Sequence, residues 1–378
     1  MPFGLYVHFP FCRNKCSYCD FYKELFDAGL EKHFYEALKI ETELCAETYV
    51  GDREISTIFV GGGTPSLTNI ELFADWLALL RRLFTVPAGI EFSVENNPDS
   101  VNLEVLSAFK ELGVNRPTFG IQSFDLNLLK LLNRKHNPDH SYKAVYLTNA
   151  LGYTNFGLDL IFGLPRQTSK ILSRDLDEVI ELDPPHISFY QLTVEPGTKL
   201  AQRVASGSLK MLPQEFTLAL YKGGCERMAE AGYSRYEVSS FAKPGYECRH
   251  NLGYWEGNDY LALGPSGHSF MNGERFANVS DVVQYIKILK EGRRPLVLDE
   301  SGTEERMVEA IMLGLRTSRG IDRHQFARRF GQKVEDQFNR SQYELFIQSG
   351  HLIPDKGTLR LSDDGIVLAD EITRRLIK

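Results

Sequence analysis

The sequence predicts an α/β protein: an open, partial TIM-like β/α barrel followed by a small C-terminal winged-helix-like α+β domain. Three observations lead there. Between Leu5 and Leu192, six short β-rich runs alternate with six longer helical patterns, which implies parallel strands and right-handed crossovers. The β-rich runs alternate apolar with polar residues, whereas a parallel strand buried on both faces runs continuously apolar. Beyond about residue 200 the period changes, and from Thr303 helices come first and two short strands last.

Taken in order, strands are expected over 4–9, 56–61, 90–95, 116–122, 156–162 and 186–192, and helices over 30–47, 69–84, 102–112, 126–133, 139–151 and 169–182. The third helix carries apolar residues at helical spacing and stops at Gly113. In the first strand Leu5, Val7 and Phe9 oppose Tyr6 and His8, and in the third Ile90, Phe92 and Val94 oppose Glu91, Ser93 and Glu95. In the fourth, Phe119 and Ile121 oppose Thr118, Gly120 and Gln122; in the fifth, Phe156, Leu158, Leu160 and Phe162 oppose Gly157, Asp159 and Ile161. If the helices cover the apolar faces, the polar faces point inward, and an interior so lined is a ligand cavity rather than a dry core. A half-solvated antiparallel sheet would share the alternation but not the intervening helices. Six strands leave the barrel incomplete.

A helix near 213–231 leads to a strand beginning at Tyr233, and the Gly- and Pro-punctuated stretch from Lys243 to Gly273 reads mostly as loop. Helices follow over 303–316, 322–330 and 333–349, with short strands around His351–Ile353 and Leu359–Leu361. The expected divisions are a barrel over 1–232, a loop-rich extension over 233–300 and the winged-helix-like domain over 301–378.

With 43% hydrophobic and 25% charged residues the chain has ample core material, and disorder is not indicated. A net charge of -7 gives no global attraction to nucleic acid or to an anionic membrane. No run approaches the roughly 20 apolar residues of a membrane span, and nothing resembles a signal peptide, so the expected location is the cytoplasm.

Three of the six cysteines, Cys12, Cys16 and Cys19, fall within eight residues at C-x3-C-x2-C spacing directly after the first strand. A four-iron cluster takes four ligands, so three thiolates leave one iron open to a non-protein ligand. The alternative is zinc with His8 or Asp20 as the fourth ligand, although structural zinc sites usually pair short clips from separated segments. Cys45, in a helical pattern, and Cys225, beside Gly224, read as small buried hydrophobes.

Here the sequence resembles the radical S-adenosylmethionine (SAM) superfamily. The resemblance continues through Gly61-Gly62-Gly63-Thr64-Pro65, Glu95-Asn96-Asn97-Pro98, Gly120-Ile121-Gln122-Ser123-Phe124, Arg134-Lys135-His136 and Asp159-Leu160-Ile161-Phe162-Gly163-Leu164-Pro165. These motifs are similar to the branch containing oxygen-independent coproporphyrinogen III dehydrogenase and the HemW-type heme chaperones. The resemblance implies a [4Fe–4S] cluster on Cys12, Cys16 and Cys19, its open iron chelated by SAM. It implies a SAM site of Tyr6, Gly62, Gly63, Thr64, Glu95, Gln122, Arg134 and Asp159, with the glycines admitting the SAM ammonium to backbone carbonyls, Glu95 accepting the ribose hydroxyls and Arg134 pairing the carboxylate.

Within that branch, the dehydrogenases carry a further cysteine where this chain has Phe21, and an N-terminal extension ahead of the first strand. His250-Asn251-Leu252-Gly253-Tyr254-Trp255 matches the HNxxYW motif of the heme chaperones, which implies a heme site of His250, Asn251, Tyr254 and Trp255. Gly264-Pro265-Ser266-Gly267-His268-Ser269 also resembles the family, with His268 as an alternative ligand. The function expected is a heme chaperone handing heme to respiratory acceptor proteins at the cytoplasmic face of the membrane, as a monomer or a ligand-dependent dimer. Oxidative decarboxylation of a porphyrinogen and a zinc-stabilised binding protein are the alternatives.

Overall fold

The computed structural model describes residues 2–49, 53–299 and 301–378. Six strands, β1 (Phe3–Phe9), β2 (Ile55–Gly62), β3 (Glu91–Asn96), β4 (Arg116–Gln122), β5 (Gly157–Phe162) and β6 (His186–Gln191), lie parallel and in chain order. The helices between them are α1 (Ala28–Tyr49), α2 (Ile70–Leu83), α3 (Leu103–Glu111), α4 (Leu126–Leu131), α5 (Pro138–Ala150) and α6 (Ser169–Glu181). Each of α2 to α6 opens on a polar residue, Asn69, Asn102, Asp125, Asn137 or Thr168, whose side chain accepts a backbone N–H of the first turn. Such caps satisfy donors that helix geometry leaves without partners.

The alternation along each strand decides which way it faces. Leu5, Val7 and Phe9 of β1 bury themselves with Phe34 and Leu38 of α1, and Leu158, Leu160 and Phe162 of β5 with Leu172 and Leu176 of α6. The opposite parity is left to line an interior cavity of about 560 Å³, to which Tyr6, Phe59, Glu95, Thr118, Asp159 and Ser188 each contribute from a different strand.

The chain continues through α7 (Lys199–Ala205), α8 (Gln214–Glu230), β7 (Ser234–Glu237) and β8 (Ser240–Ala242), the last pairing antiparallel with β6. The stretch expected to be mostly loop is structured. It holds a seven-residue helix, α9 (Arg249–Trp255), and two strands, β9 (Tyr260–Leu263) and β10 (His268–Met271). β9 pairs parallel with β1 on the side away from β2, making seven parallel strands where six were expected. β10, β11 (Glu274–Asn278) and β12 (Leu296–Leu298) extend that edge antiparallel, with α10 (Val282–Lys290) packed against α1, and the twelve-stranded sheet does not close.

The C-terminal unit has its own small core, including Met307, Ile311, Phe326, Phe346, Leu359 and Ile372. Its elements are α11 (Thr303–Leu315), β13 (Ile321–Asp322), α12 (Arg323–Phe330), α13 (Arg340–Gln348), β14 (Leu352–Pro354), β15 (Thr358–Leu361), α14 (Asp363–Ile366) and α15 (Ala369–Leu376). The three strands form one sheet in the order β13-β15-β14. The single helix expected over 333–349 is broken. A 3₁₀ turn at Val334–Gln337 ends at the extended Phe338, and α13 restarts with Asn339 as its cap.

Candidate functional site

The cysteine loop leaves the end of β1 and is held from beneath by the turn after β2. Gly63 and Thr64 donate backbone N–H groups to the carbonyls of Phe9 (2.7 Å) and Phe11 (2.8 Å). A Cβ on Gly63 would meet those same two oxygens at 2.6 and 2.5 Å, so only glycine brings the backbones this close. Gly62 lies at φ +95°, and a side chain there would strike the His8 ring. Both glycines are therefore required by packing inside the protein, in addition to whatever they admit from the cavity.

Two of the three thiols accept hydrogen bonds from neighbouring side chains. Thr64 donates from Oγ1 to Cys12 Sγ at 3.5 Å, and Arg134 donates from Nη1 to Cys16 Sγ at 3.7 Å. Asn97 joins the two arms: its Nδ2 donates to Thr64 Oγ1 at 3.0 Å and its Oδ1 accepts from Arg134 Nη2 at 2.8 Å. Gln122, at φ +69° in a bulge of β4, folds its amide over Gly120 beside the same guanidinium. The residues assigned by resemblance thus divide. Thr64, Gln122 and Arg134 gather against the cysteine loop, whereas Tyr6, Gly62, Glu95 and Asp159 line the cavity.

Glu95 and Asp159 are half-buried in the cavity wall. Loss of solvation, with the Asp159 charge adding to it, pushes Glu95 up to about 7 despite the N–H of Gly62 bonded to Oε2 at 3.1 Å. Loss of solvation also raises Asp159 to about 6, partly offset by Ser188, Arg116 and Arg134. The sign follows. A carboxyl raised on folding keeps its proton in the native state above the pH at which the unfolded chain loses it, so stability from Glu95 falls as pH rises through that window toward 7. A ligand diol donates to the carboxylate form, so its binding releases a proton below about pH 7. SAM affinity in anaerobically reconstituted protein is expected to weaken as pH falls from 8 to 6, by at most about tenfold per unit. Calorimetry in buffers of different ionisation enthalpy measures the proton release, and Glu95→Gln should lower it by the share that Glu95 contributes, leaving the proton that the SAM ammonium loses on meeting iron; a proton release unchanged in Glu95→Gln would rule Glu95 out as the diol acceptor.

The HNxxYW segment forms α9, and its four assigned residues separate. Asn251 and Tyr254 line the barrel cavity. Trp255 and Leu252 line a second cavity of about 560 Å³ against the C-terminal unit, facing Phe326, Arg329 and Phe330. His250, expected as a ligand, is 3% exposed and stacked on Phe59. Its Nδ1 is bonded to Thr57 Oγ1 at 2.8 Å and its Nε2 to the Tyr254 hydroxyl at 2.8 Å. Burial, with Arg116 adding to it, lowers its pKa to about 3. The ring also lines a third cavity, of about 610 Å³, with Gly4, Thr57 and Tyr260, and one of its two hydrogen bonds has to open before a nitrogen can meet iron.

Several cavity-lining residues escaped the sequence reading. Arg116 is 1% exposed, lines the cavity, and leaves Nε and Nη2 without hydrogen-bond partners. His186, Ser188 and Tyr190 line it from β6. Arg116 shares the parity of Thr118, so extending that strand's inward face by one more step would have found it. Phe21 is 64% exposed and lines the same cavity.

Comparison with known proteins accords with this geometry. The radical SAM superfamily model matches residues 6–179, and the HemN C-terminal domain model matches residues 303–368. The heme chaperone HemW of Bacillus subtilis is 34% identical over 370 residues, covering 97% of this chain and 97% of that protein. HemW of Mycobacterium tuberculosis is 34% identical over 380 residues, covering 100% and 95%. The chain belongs to the HemW family of the radical SAM superfamily. Among solved structures, coproporphyrinogen III oxidase (HemN) from Escherichia coli, described as a radical SAM enzyme, superposes with a TM-score of 0.84 at 24% identity, over 99% of this chain and 89% of that one. At that identity the likeness speaks for the fold.

Membership of this superfamily implies a four-iron cluster and SAM, and the donor set fits them. Three unpaired cysteines lie on one short loop, with a threonine hydroxyl and an arginine placed to hydrogen-bond thiolate. The zinc alternative fares worse. Among the described residues no three or more His, Cys, Asp or Glu side chains converge as one ion requires, whereas a cluster spreads its cysteines over separate irons. His8, its suggested fourth ligand, is already bonded to the Tyr6 hydroxyl at 3.1 Å and the Tyr22 carbonyl at 2.9 Å.

Proposed function

We propose that this chain is a heme chaperone that holds a [4Fe–4S] cluster and SAM at the mouth of its barrel and passes heme to acceptor proteins. The observation that carries the reading is the identity with HemW heme chaperones from end to end of the chain, through both the barrel and the C-terminal unit. In this reading Cys12, Cys16 and Cys19 hold the cluster. Arg134 neutralises charge beside it, and Tyr6, Gly62, Gly63, Thr64, Glu95, Gln122 and Asp159 hold or frame SAM. When bound, the cluster and SAM supply an electron source and a reducible sulfonium. The chain's own residues bind, orient and keep water from that pair.

Heme is met by flat apolar side chains: Phe21, Tyr22, Tyr254 and Tyr260 all line the cavity, and Trp255 continues the aromatic surface into the second cavity. Phe21 supports a chaperone over a dehydrogenase, since it places an exposed ring where the dehydrogenases have a thiol. The acceptors in this reading are respiratory proteins at the cytoplasmic face of the membrane, reached by peripheral contact. Among the described residues no helix is long and apolar enough to cross a membrane.

Two assays on the anaerobically reconstituted protein test the reading. Hemin titration should give a saturable Soret band. Incubation with SAM, reductant and coproporphyrinogen III should give no repeated turnover to protoporphyrinogen; multiple turnovers would replace the chaperone with the dehydrogenase.

A further inference from the structure

We infer that the floor of the barrel is an anion site, where Arg116 and His186 receive one carboxylate of the molecule held in the cavity; in the heme-chaperone reading, on which this rests, that carboxylate is a propionate. The argument is one of hydrogen-bond donors without acceptors. Arg116 and His186 open β4 and β6, at the end of the barrel opposite the cysteine loop. Nε and Nη2 of Arg116 and Nδ1 of His186 have no hydrogen-bond partner among the described residues, although the two residues are only 1% and 2% exposed and both line the cavity. Buried polar groups are as a rule hydrogen-bonded, a buried charge above all.

Neighbouring side chains do not supply what these nitrogens lack. Glu91 contributes charge to Arg116, but its two oxygens are taken by the backbone N–H groups of His250 at 2.8 Å and Arg249 at 2.9 Å. Asp159 adds to the field at Arg116 while its carboxyl is hydrogen-bonded by Ser188. The position of the His186 proton follows from its own partner. The Tyr236 hydroxyl accepts the Cys248 N–H at 3.2 Å, which leaves its proton for His186 Nε2 at 2.7 Å, and a neutral ring that accepts at Nε2 carries its hydrogen on Nδ1. Burial, with Arg116 adding to it, holds the ring well below the usual imidazole range and so keeps it neutral. The unpartnered nitrogens of the floor are therefore all donors.

Strand register brings them to one place. Thr118 of β4 lies level with Gly157 of β5, and Gly157 with His186 of β6, with Arg116 one inward step before Thr118. A Cβ on Gly157 would stand 3.3 Å from His186 Nδ1 and 3.1 Å from Thr118 Cγ2, so the missing side chain leaves a recess beside the histidine donor. Nε and Nη2 lie along one edge of the guanidinium, the fork that a carboxylate bridges with two parallel bonds. A carboxylate accepts only, has lone pairs left for a ring N–H, and balances the charge. Water would bring two further donors to a place already rich in them. Arg134 has its own acceptors at the cysteine loop, in Cys16, Asn97 and the Gly120 carbonyl, so the two arginines serve opposite ends of the barrel.

The test compares hemin with hemin dimethyl ester, in which both propionates are blocked, each presented from the same detergent to the full chain with its cluster reconstituted. Wild type should bind hemin about tenfold or more tighter than the ester. Arg116→Gln loses both charge and fork, and Arg116→Lys keeps a buried charge but loses the fork. In folded protein, checked by circular dichroism, the preference for hemin should vanish in the first and shrink in the second. Equal affinity of wild type for hemin and ester would overturn the assignment without any variant, and so would a wild-type preference in either folded variant. Weaker SAM binding in a variant whose preference for hemin is intact would give the site to the SAM carboxylate and overturn the propionate. A wild-type chain that binds neither hemin nor ester would instead overturn the chaperone reading on which the inference stands.

Discussion

Cys16→Ser is expected to strip the reconstituted protein of its cluster, with iron and acid-labile sulfide per chain falling roughly tenfold. A serine hydroxyl keeps its proton near neutral pH, and its oxygen is too hard a donor to replace a thiolate on iron. The loop cannot rescue the loss by shifting another residue inward. Its two ends are pinned by the bonds from Gly63 and Thr64 to the carbonyls of Phe9 and Phe11 and by the Phe26 N–H to the Cys12 carbonyl at 2.9 Å. The control is Cys45→Ser. Cys45 is fully buried on α1, where burial pushes its thiol well above the usual range, and its replacement should leave iron content unchanged. Metal analysis of anaerobically purified protein reads both variants. Equal iron in wild type and Cys16→Ser, or zinc in place of iron in the wild type, would refute the cluster assignment.

How much of this was legible in the sequence depended on how local the determining physics is. The six barrel strands and their helices announce themselves through periodicity and caps within the segment concerned: Asn102 caps α3 three residues before the N–H that it accepts. The inward carboxylates follow from strand parity alone, which is why Glu95 and Asp159 emerge from alternation without any family knowledge. The stretch from Lys243 to Gly273 hid its structure for the opposite reason. β9 is a four-residue run whose place is fixed by pairing with β1, more than 250 positions earlier in the chain. α9 is seven residues long, contains Gly253, and has no side-chain cap from its own N-cap residue, Cys248. Too short to be stable by propensity, it forms because of distant partners. The hydrogen bonds of His250 were hidden for the same reason, since neither Thr57 nor the neighbouring β1 backbone is visible from a six-residue motif.

The partner that makes α9 possible is Glu91, and its loss has the largest expected structural effect. Its carboxylate is 6% exposed and accepts the backbone N–H of His250 at Oε1 (2.8 Å) and that of Arg249 at Oε2 (2.9 Å), with Cys248 Sγ 3.6 Å from Oε1. It therefore acts as an N-cap contributed by β3, and its negative charge lies where the helix dipole favours one. The same charge is among those that stabilise buried Arg116. Glu91→Gln keeps the shape but substitutes an NH₂ group for one acceptor and removes the charge. One of the two backbone donors then faces an NH₂ group and the guanidinium loses a counter-charge, at a cost of about 2–4 kcal/mol. Hydrogen exchange should report it locally: the amides of α9 should lose protection in Glu91→Gln while those of α2 and α6 keep theirs. Hemin binding should weaken as well, because Asn251 and Tyr254 reach the cavity only while α9 is folded. Wild-type protection across α9 in the variant would show that the helix is held by its packing alone.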